Sequence, residues 1–150
     1  MQLAHNLATQ SHCLRRKVGA VLVSADQANV ITAINDPLPY PSICREQGCL
    51  RELNHIPSGT NNELCRCFHC EANLIVQCAK RGISTAGATV YTTLYPCLSC
   101  AKILTAAGIS KLVYSSSYTD NCAKEYLRNT SISIIQLISD DTAFGTSDTS

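Results

Sequence analysis

Tryptophan is absent from the chain, phenylalanine occurs only twice, and the aromatic fraction is 5%. A groove that stacks successive nucleic-acid bases needs aromatic faces along its length, so the shortage counts against one. No run of about 18 apolar residues is present, which excludes a membrane-spanning helix and leaves no membrane partner to expect. Charge of one sign is lacking too: Lys and Arg number 12 and Asp and Glu 11, for a formal net charge of +1. A bulk polyanion binder is usually more basic, so no nucleic-acid partner is expected, while a local anion pocket stays open. Residues Met1 to Thr9 lack the basic stretch and long apolar run of a secretory signal, which points to a cytoplasmic protein. Cysteine, by contrast, is plentiful, at 10 in 150 residues. In a reducing compartment, clustered cysteines are more often metal ligands or catalytic groups than a disulfide framework.

The length is that of one domain, and a hydrophobic fraction of 45% is enough for its core. Leu3, Ala4, Leu7 and Ala8 recur at helical spacing and predict a first helix ending near Ser11. Val18 to Ser24 and Val30 to Ile34 are short β-branched runs around a turn at Ala25-Asp26-Gln27, and predict a hairpin. Five prolines and glycines then break the pattern from Asp36 to Leu64: Pro37, Pro39, Pro41, Gly48 and Pro57, with Gly59 a sixth breaker. A loop that long is uncommon unless it is functional or tied down. Order returns with a helix through Ala72, Ile75, Val76 and Ala79, ended by Gly82. A strand over 88–93, a helix over 98–107 closed by Gly108, a strand over 111–115, a helix over 122–127 and a strand over 131–137 follow. This alternation implies an α/β layered domain with parallel strand pairs in its second half. The domain is expected over residues 1–139, with the Ser-, Thr- and Asp-rich 140–150 as a flexible tail.

Two segments carry chemistry. His69-Cys70-Glu71 stands at one predicted helix start, and Pro96-Cys97-Leu98-Ser99-Cys100 at the next, with room between them for one helix and one strand. That connection can bring the two helix N-termini face to face. Zinc accepts His nitrogen and Cys thiolate, and a catalytic zinc keeps three protein ligands and an open position for water. His69, Cys97 and Cys100 are such a set. The helix dipole at Cys97 and Cys100 favours thiolate over thiol. Glu71, two residues from His69, reaches the water position without being a ligand. The H-x-E and P-C-x-x-C spacing matches the zinc deaminase pattern, in which water attacks C4 of cytosine and the glutamate moves the proton. A competing arrangement is a purely structural zinc on Cys67, Cys70, Cys97 and Cys100. It would leave His69 and Glu71 without a role.

More of the chain bears on the choice. Cys13-Leu-Arg-Arg-Lys-Val-Gly-Ala-Val21, Cys44-Arg-Glu-Gln-Gly-Cys-Leu-Arg51, Ile56-Pro-Ser-Gly59, Glu63-Leu-Cys65, His69-Cys-Glu-Ala-Asn73, Gly87-Ala-Thr-Val-Tyr-Thr92, Pro96-Cys-Leu-Ser-Cys-Ala-Lys102 and Ala107-Gly-Ile-Ser-Lys-Leu-Val-Tyr114 together resemble the deoxycytidylate (dCMP) deaminase family of the cytidine deaminase superfamily, bacterial or phage type. The resemblance implies hydrolysis of dCMP to dUMP and ammonia, supplying thymidylate synthesis. It implies the cytidine deaminase fold, a three-layer α/β/α sandwich with a five-stranded mixed sheet. It further implies a homo-hexamer, activation by dCTP with Mg2+, inhibition by dTTP, and a second, structural zinc on Cys13, Cys44, Cys49 and Cys65 that staples the 36–64 loop. Cys67 is an alternative to Cys65 in that set. Asn35 matches the family's sugar-binding asparagine, and capping the turn at Asp36-Pro37 is its other reading. For the 5′-phosphate, Arg15, Arg16, Lys17, Lys80, Arg81 and Lys102 are candidates, with Tyr118 adding a hydroxyl; Lys17 and Tyr118 are taken forward.

Two departures stand out. The family's Gly-Tyr-Asn-Gly reads Ala33-Ile34-Asn35-Asp36 here, and its His-Ala-Glu reads His69-Cys70-Glu71. The first puts the binding of an effector triphosphate in question. The second sets an oxidisable thiol beside the metal site. Alternative functions are a superfamily deaminase acting on free cytidine or on an RNA or DNA base, and a non-catalytic zinc-stabilised module.

Overall fold

The computed structural model describes residues 1–137; the end of the expected domain at 139 and the 140–150 tail lie outside the described residues. The first helix, α1 (Gln2–Ala8), stops three residues before the expected end at Ser11. The hairpin follows as β1 (Gly19–Val23) and β2 (Val30–Ile34), antiparallel with Gly19 opposite Ile34 and Val23 opposite Val30.

The 36–64 stretch is more regular than its prolines and glycines suggest. It contains β3 (Asp36–Pro37), α2 (Ile43–Gln47), α3 (Leu50–Leu53) and a 3₁₀ turn over Asn62–Leu64. None of these elements is long enough to show a hydrophobic period, so pattern reading passes over them. β3 pairs antiparallel with β4 (Cys67–Phe68), fastening the start of the loop to the segment before His69.

Helix α4 (Cys70–Arg81) begins two residues earlier than its apolar pattern and ends at Gly82, whose φ of 66° is the left-handed geometry that closes a helix. The remainder alternates: β5 (Thr89–Leu94), α5 (Leu98–Ala106), β6 (Lys111–Ser116), α6 (Asn121–Arg128) and β7 (Ser133–Gln136). The five-stranded sheet runs β2-β1-β5-β6-β7, with β1 antiparallel to β2 and β5, and β5-β6-β7 parallel. This is the mixed sheet of the expected cytidine deaminase-like fold.

Alternation along the strands divides the packing between two faces. Ala20, Leu22, Val90 and Leu112 point to one face and are fully buried with Leu74 of α4, Leu104 of α5 and Leu127 of α6. Truncating one such leucine to alanine costs about 2–5 kcal/mol. α1 covers the other face and lies so close to β1 that a Cβ on Gly19 would fall 2.7 Å from the Ala8 nitrogen and closer still to the Ala4 carbonyl. Glycine is required there for that close approach. The parallel β5-β6 pair sends both connections off the same sheet edge, and the site is built where β5 ends at Leu94. No helix of the described residues is long and apolar enough to cross a membrane.

Candidate metal centre and cleft

His69 is the N-cap residue of α4 and Cys97 that of α5, both in extended backbone conformation. An N-cap side chain projects beyond its helix, so the two helix starts turn their side chains towards each other. His69 Nδ1 lies 3.5 Å from Cys97 Sγ and 3.5 Å from Cys100 Sγ. Cys100 occupies the first turn of α5, which puts its sulfur beside that of Cys97. Ordinary Zn–S and Zn–N lengths at a tetrahedral angle separate the two donor atoms by about 3.5 Å, so this donor set fits zinc. Burial alone would lower the His69 pKa, but the Cys65 and Cys97 sulfurs, as acceptors of its ring N–H, and the charge of Glu71 outweigh it and push it up to about 11. The Cys97 thiol is lowered to about 4, first by its hydrogen bond with Cys100 and then by His69. The two shifts are reciprocal: they favour negative charge on the Cys97 sulfur and positive charge on the neighbouring His69 ring.

Glu71 is buried in the first turn of α4, and burial raises its carboxyl above the ordinary value. It shares with His69 and Cys97 a cleft with about 440 Å³ of empty space, part of it open to solvent. Val18, Leu94 and Tyr95 give the cleft apolar walls, and Arg15, Arg16, Arg51 and Asn35 give it polar ones.

The structure sorts the other expected residues. Asn35 lines the cleft; its Oδ1 accepts the Cys70 backbone N–H at 2.8 Å and its Nδ2 donates to the Arg16 carbonyl at 3.4 Å. It therefore caps α4 from outside the helix, rather than a turn at Asp36-Pro37. Tyr118 also lines the cleft, but its hydroxyl is engaged, accepting from Gly59 N–H at 3.1 Å and donating to Asn62 Oδ1 at 3.2 Å. It fastens the end of the 36–64 loop over the site. Lys17 is exposed and lines a separate surface hollow with His12 and Arg45. Lys80, Arg81 and Lys102 are exposed and stand away from the cleft lining.

Arg51 was not singled out by sequence, and no spacing marks it. Its guanidinium is buried on α3, donating to the Pro57 carbonyl at 3.2 Å and the Thr60 carbonyl at 2.7 Å. Arg15 donates to the Ile56 carbonyl at 2.7 Å and pairs with Glu52 at 3.4 Å, while its Nη1 is buried with no partner among the described residues. Arg15 Nη1 and Arg51 Nε are thus the two buried guanidinium nitrogens of the cleft lining that lack a partner among the described residues.

A second thiol cluster forms from Cys13, Cys65 and Cys67, whose sulfurs lie within 4.8 Å of one another. Cys44 joins through Cys67 at 3.9 Å. Cys49, expected in this set, is buried at the N-cap of α3 and is not among these sulfurs, whereas Cys67 is. The physical reason is the β3–β4 ribbon, which pairs Cys67 with Pro37 and carries the thiol inward. All ten cysteines are free.

Residues 1–116 match the family model described as "Cytidine and deoxycytidylate deaminase zinc-binding region". The chain is 33% identical over 142 residues to ComE operon protein 2 of Bacillus subtilis, covering 94% of this chain and 70% of that protein. It is 33% identical over 137 residues to the deoxycytidylate deaminase of Saccharomyces cerevisiae, covering 91% of this chain and 43% of the yeast protein. Among solved structures, the dCMP deaminase of cyanophage S-TIM5 superposes with a TM-score of 0.68 at 25% identity, covering 91% of this chain and 92% of the phage chain.

Proposed function

Because the chain belongs to the cytidine and deoxycytidylate deaminase family, we propose that it is a zinc enzyme that hydrolyses dCMP to dUMP and ammonia. The observation that carries this reading is His69 Nδ1 at 3.5 Å from both Cys97 and Cys100 sulfurs, with the buried carboxylate of Glu71 in the same cleft. A structural zinc on Cys67, Cys70, Cys97 and Cys100 does not suit this arrangement, since Cys67 belongs to the other thiol cluster and Cys70 turns to Glu71.

His69, Cys97 and Cys100 would hold the zinc, which when bound would supply the Lewis acidity that makes a water nucleophilic near neutral pH. Glu71 accepts the proton that this water loses on attacking C4 and delivers it to ring N3. It then takes the proton of the new C4 hydroxyl and passes it to the departing amino group, which leaves as ammonia. A carboxylate raised by burial suits both duties, because it binds the proton firmly enough to carry it and releases it to a more basic nitrogen. Val18, Leu94 and Tyr95 exclude water around the ring. The Asn35 amide faces the sugar, and the guanidinium groups of Arg15, Arg16 and Arg51 receive the 5′-phosphate. Charge-assisted bonds from a guanidinium fork suit a phosphate better than the exposed Lys17.

A second zinc on Cys13, Cys44, Cys65 and Cys67 would close a tetrahedral, structural site. We carry forward from the family resemblance a homo-hexamer, dCTP activation with Mg2+, dTTP inhibition, a cytoplasmic location and supply of dUMP to thymidylate synthesis. Ten unpaired thiols suit a reducing compartment.

The test is ammonia release by the zinc-loaded protein from dCMP, deoxycytidine, cytidine and dCTP in parallel, repeated with added dCTP and dTTP. The expected result is turnover of dCMP well above the other three. Activity on none of the four, in a folded zinc-loaded protein, would sink the reading.

A further inference from the structure

Cys70 is fully buried and stands outside both metal-ligand groups, yet it occupies the place between His69 and Glu71. Its sulfur lies 3.5 Å from Glu71 Oε2. This is within range for a thiol donor, and the acceptor-only carboxylate opposite fixes the direction of the bond. It is the one side-chain hydrogen bond to Glu71 among the described residues. Its backbone N–H is fixed by Asn35 Oδ1 at 2.8 Å. Thr92, fully buried on β5, donates its hydroxyl proton to the Leu94 carbonyl at 3.0 Å, so Glu71 Oε2 is the one side-chain partner of the sulfur among the described residues. Asn35 thus fixes the backbone of the residue whose side chain holds the carboxylate.

A proton shuttle must present one oxygen to the reacting water while its other oxygen stays put. A glutamate on the first turn of a helix has three rotatable bonds, and burial alone does not choose among their settings. We propose that Cys70 is a positioning residue for proton transfer, its S–H donating to Glu71 Oε2 and so leaving Oε1 for the cleft. This rests on the reading of Glu71 as the shuttle. A methyl group at this position fills similar space and offers no donor, so packing and hydrogen bonding are separable by substitution.

The experiment compares Cys70→Ala, Cys70→Ser and Glu71→Gln as zinc-loaded enzymes, measuring zinc content, kcat and KM for dCMP, and the infrared S–H stretch. Cys70→Ala is expected to lower kcat roughly tenfold with KM within about twofold, the scale of one lost bond to a charged group. Cys70→Ser, which keeps a donor, should restore most of that loss. The S–H band that disappears in Cys70→Ala should shift in Glu71→Gln, because an amide oxygen is a weaker acceptor than a carboxylate. Unchanged kcat in Cys70→Ala, equal losses in both Cys70 variants, or an S–H band indifferent to Glu71→Gln would each overturn the proposal. Should Cys70→Ala fail to fold, Cys70→Ser and the band shift decide it. Wild-type turnover in Glu71→Gln is a different result: it removes the shuttle itself.

Discussion

The carboxylate of Asp120 accepts the backbone N–H of Leu98 at 2.9 Å through one oxygen, while its other oxygen accepts from Ala123 N–H at 3.0 Å. One buried side chain thereby caps α5 and α6 at once, and α5 is the helix that carries Cys97 and Cys100. Replacing Asp120 with alanine should cost about 1–2 kcal/mol for the lost caps. It should also loosen zinc, because the turn bearing two ligands loses its anchor. Thermal unfolding and zinc content after dialysis against a weak chelator check both effects. An Asn at this position, keeping one acceptor oxygen, should fall between wild type and alanine.

Glu71→Gln keeps the shape of the side chain and removes its ability to take a proton. Turnover should fall by about 10²–10⁴-fold with zinc retained and the unfolding midpoint little changed. Steady-state kinetics on metal-analysed protein decide it, and a variant that stays fully active would leave a metal-stabilised module in place of an enzyme.

Arg15→Gln removes the guanidinium whose Nη1 is buried without a partner among the described residues. The kcat/KM for dCMP should drop roughly 10- to 100-fold, the scale of one or two charge-assisted bonds, while that for deoxycytidine holds steady. Equal losses on both substrates would assign Arg15 to holding the Ile56 loop instead.

The two thiol groups are separable by metal counting. Cys67→Ser should reduce bound zinc from two per chain towards one and lower the unfolding midpoint by roughly 5 °C or more. Cys49→Ser should leave both zinc ions in place, because Cys49 lies outside the cluster. The opposite pattern would restore Cys49 as the fourth ligand.

Cys78 is fully buried on α4, and burial raises its thiol above the ordinary value of 9.0. The folded chain therefore holds a proton that the unfolded chain releases. This contribution is intact below about pH 9 and is lost as the pH climbs past it. Cys78→Ala should flatten the alkaline part of the stability curve, measured by denaturant titration between pH 8 and 10. Alkylation at pH 8 should find one fast thiol, the exposed Cys122, and lose it in Cys122→Ser.

The strands and long helices were legible because their apolar residues repeat over enough positions to declare a period: β1, β2, β5, α4 and α5 stand within one or two residues of expectation. The placement of His69, Cys97 and Cys100 was legible as well, since helix-start spacing constrains the side chains that project from it. The 36–64 segment was not. α2 and α3 take their form from contacts with distant residues, such as Arg51 with the Thr60 carbonyl and Tyr118 with Gly59, and no local pattern encodes them. The double role of Asp120 was hidden for the same reason: it lies twenty-two residues from one of the helices it caps.

The groups assigned to the catalytic metal and to proton transfer lie on a single continuous stretch, His69 to Cys100, joined by α4 and β5. The walls proposed to receive sugar and phosphate come from elsewhere: the 13–18 turn, Asn35, Arg51 and the Gly59–Asn62 bend beneath Tyr118. A chain divided in this way can vary on two separate clocks. Changes confined to the earlier segments alter which molecule is admitted, while the reaction performed on it stays the same.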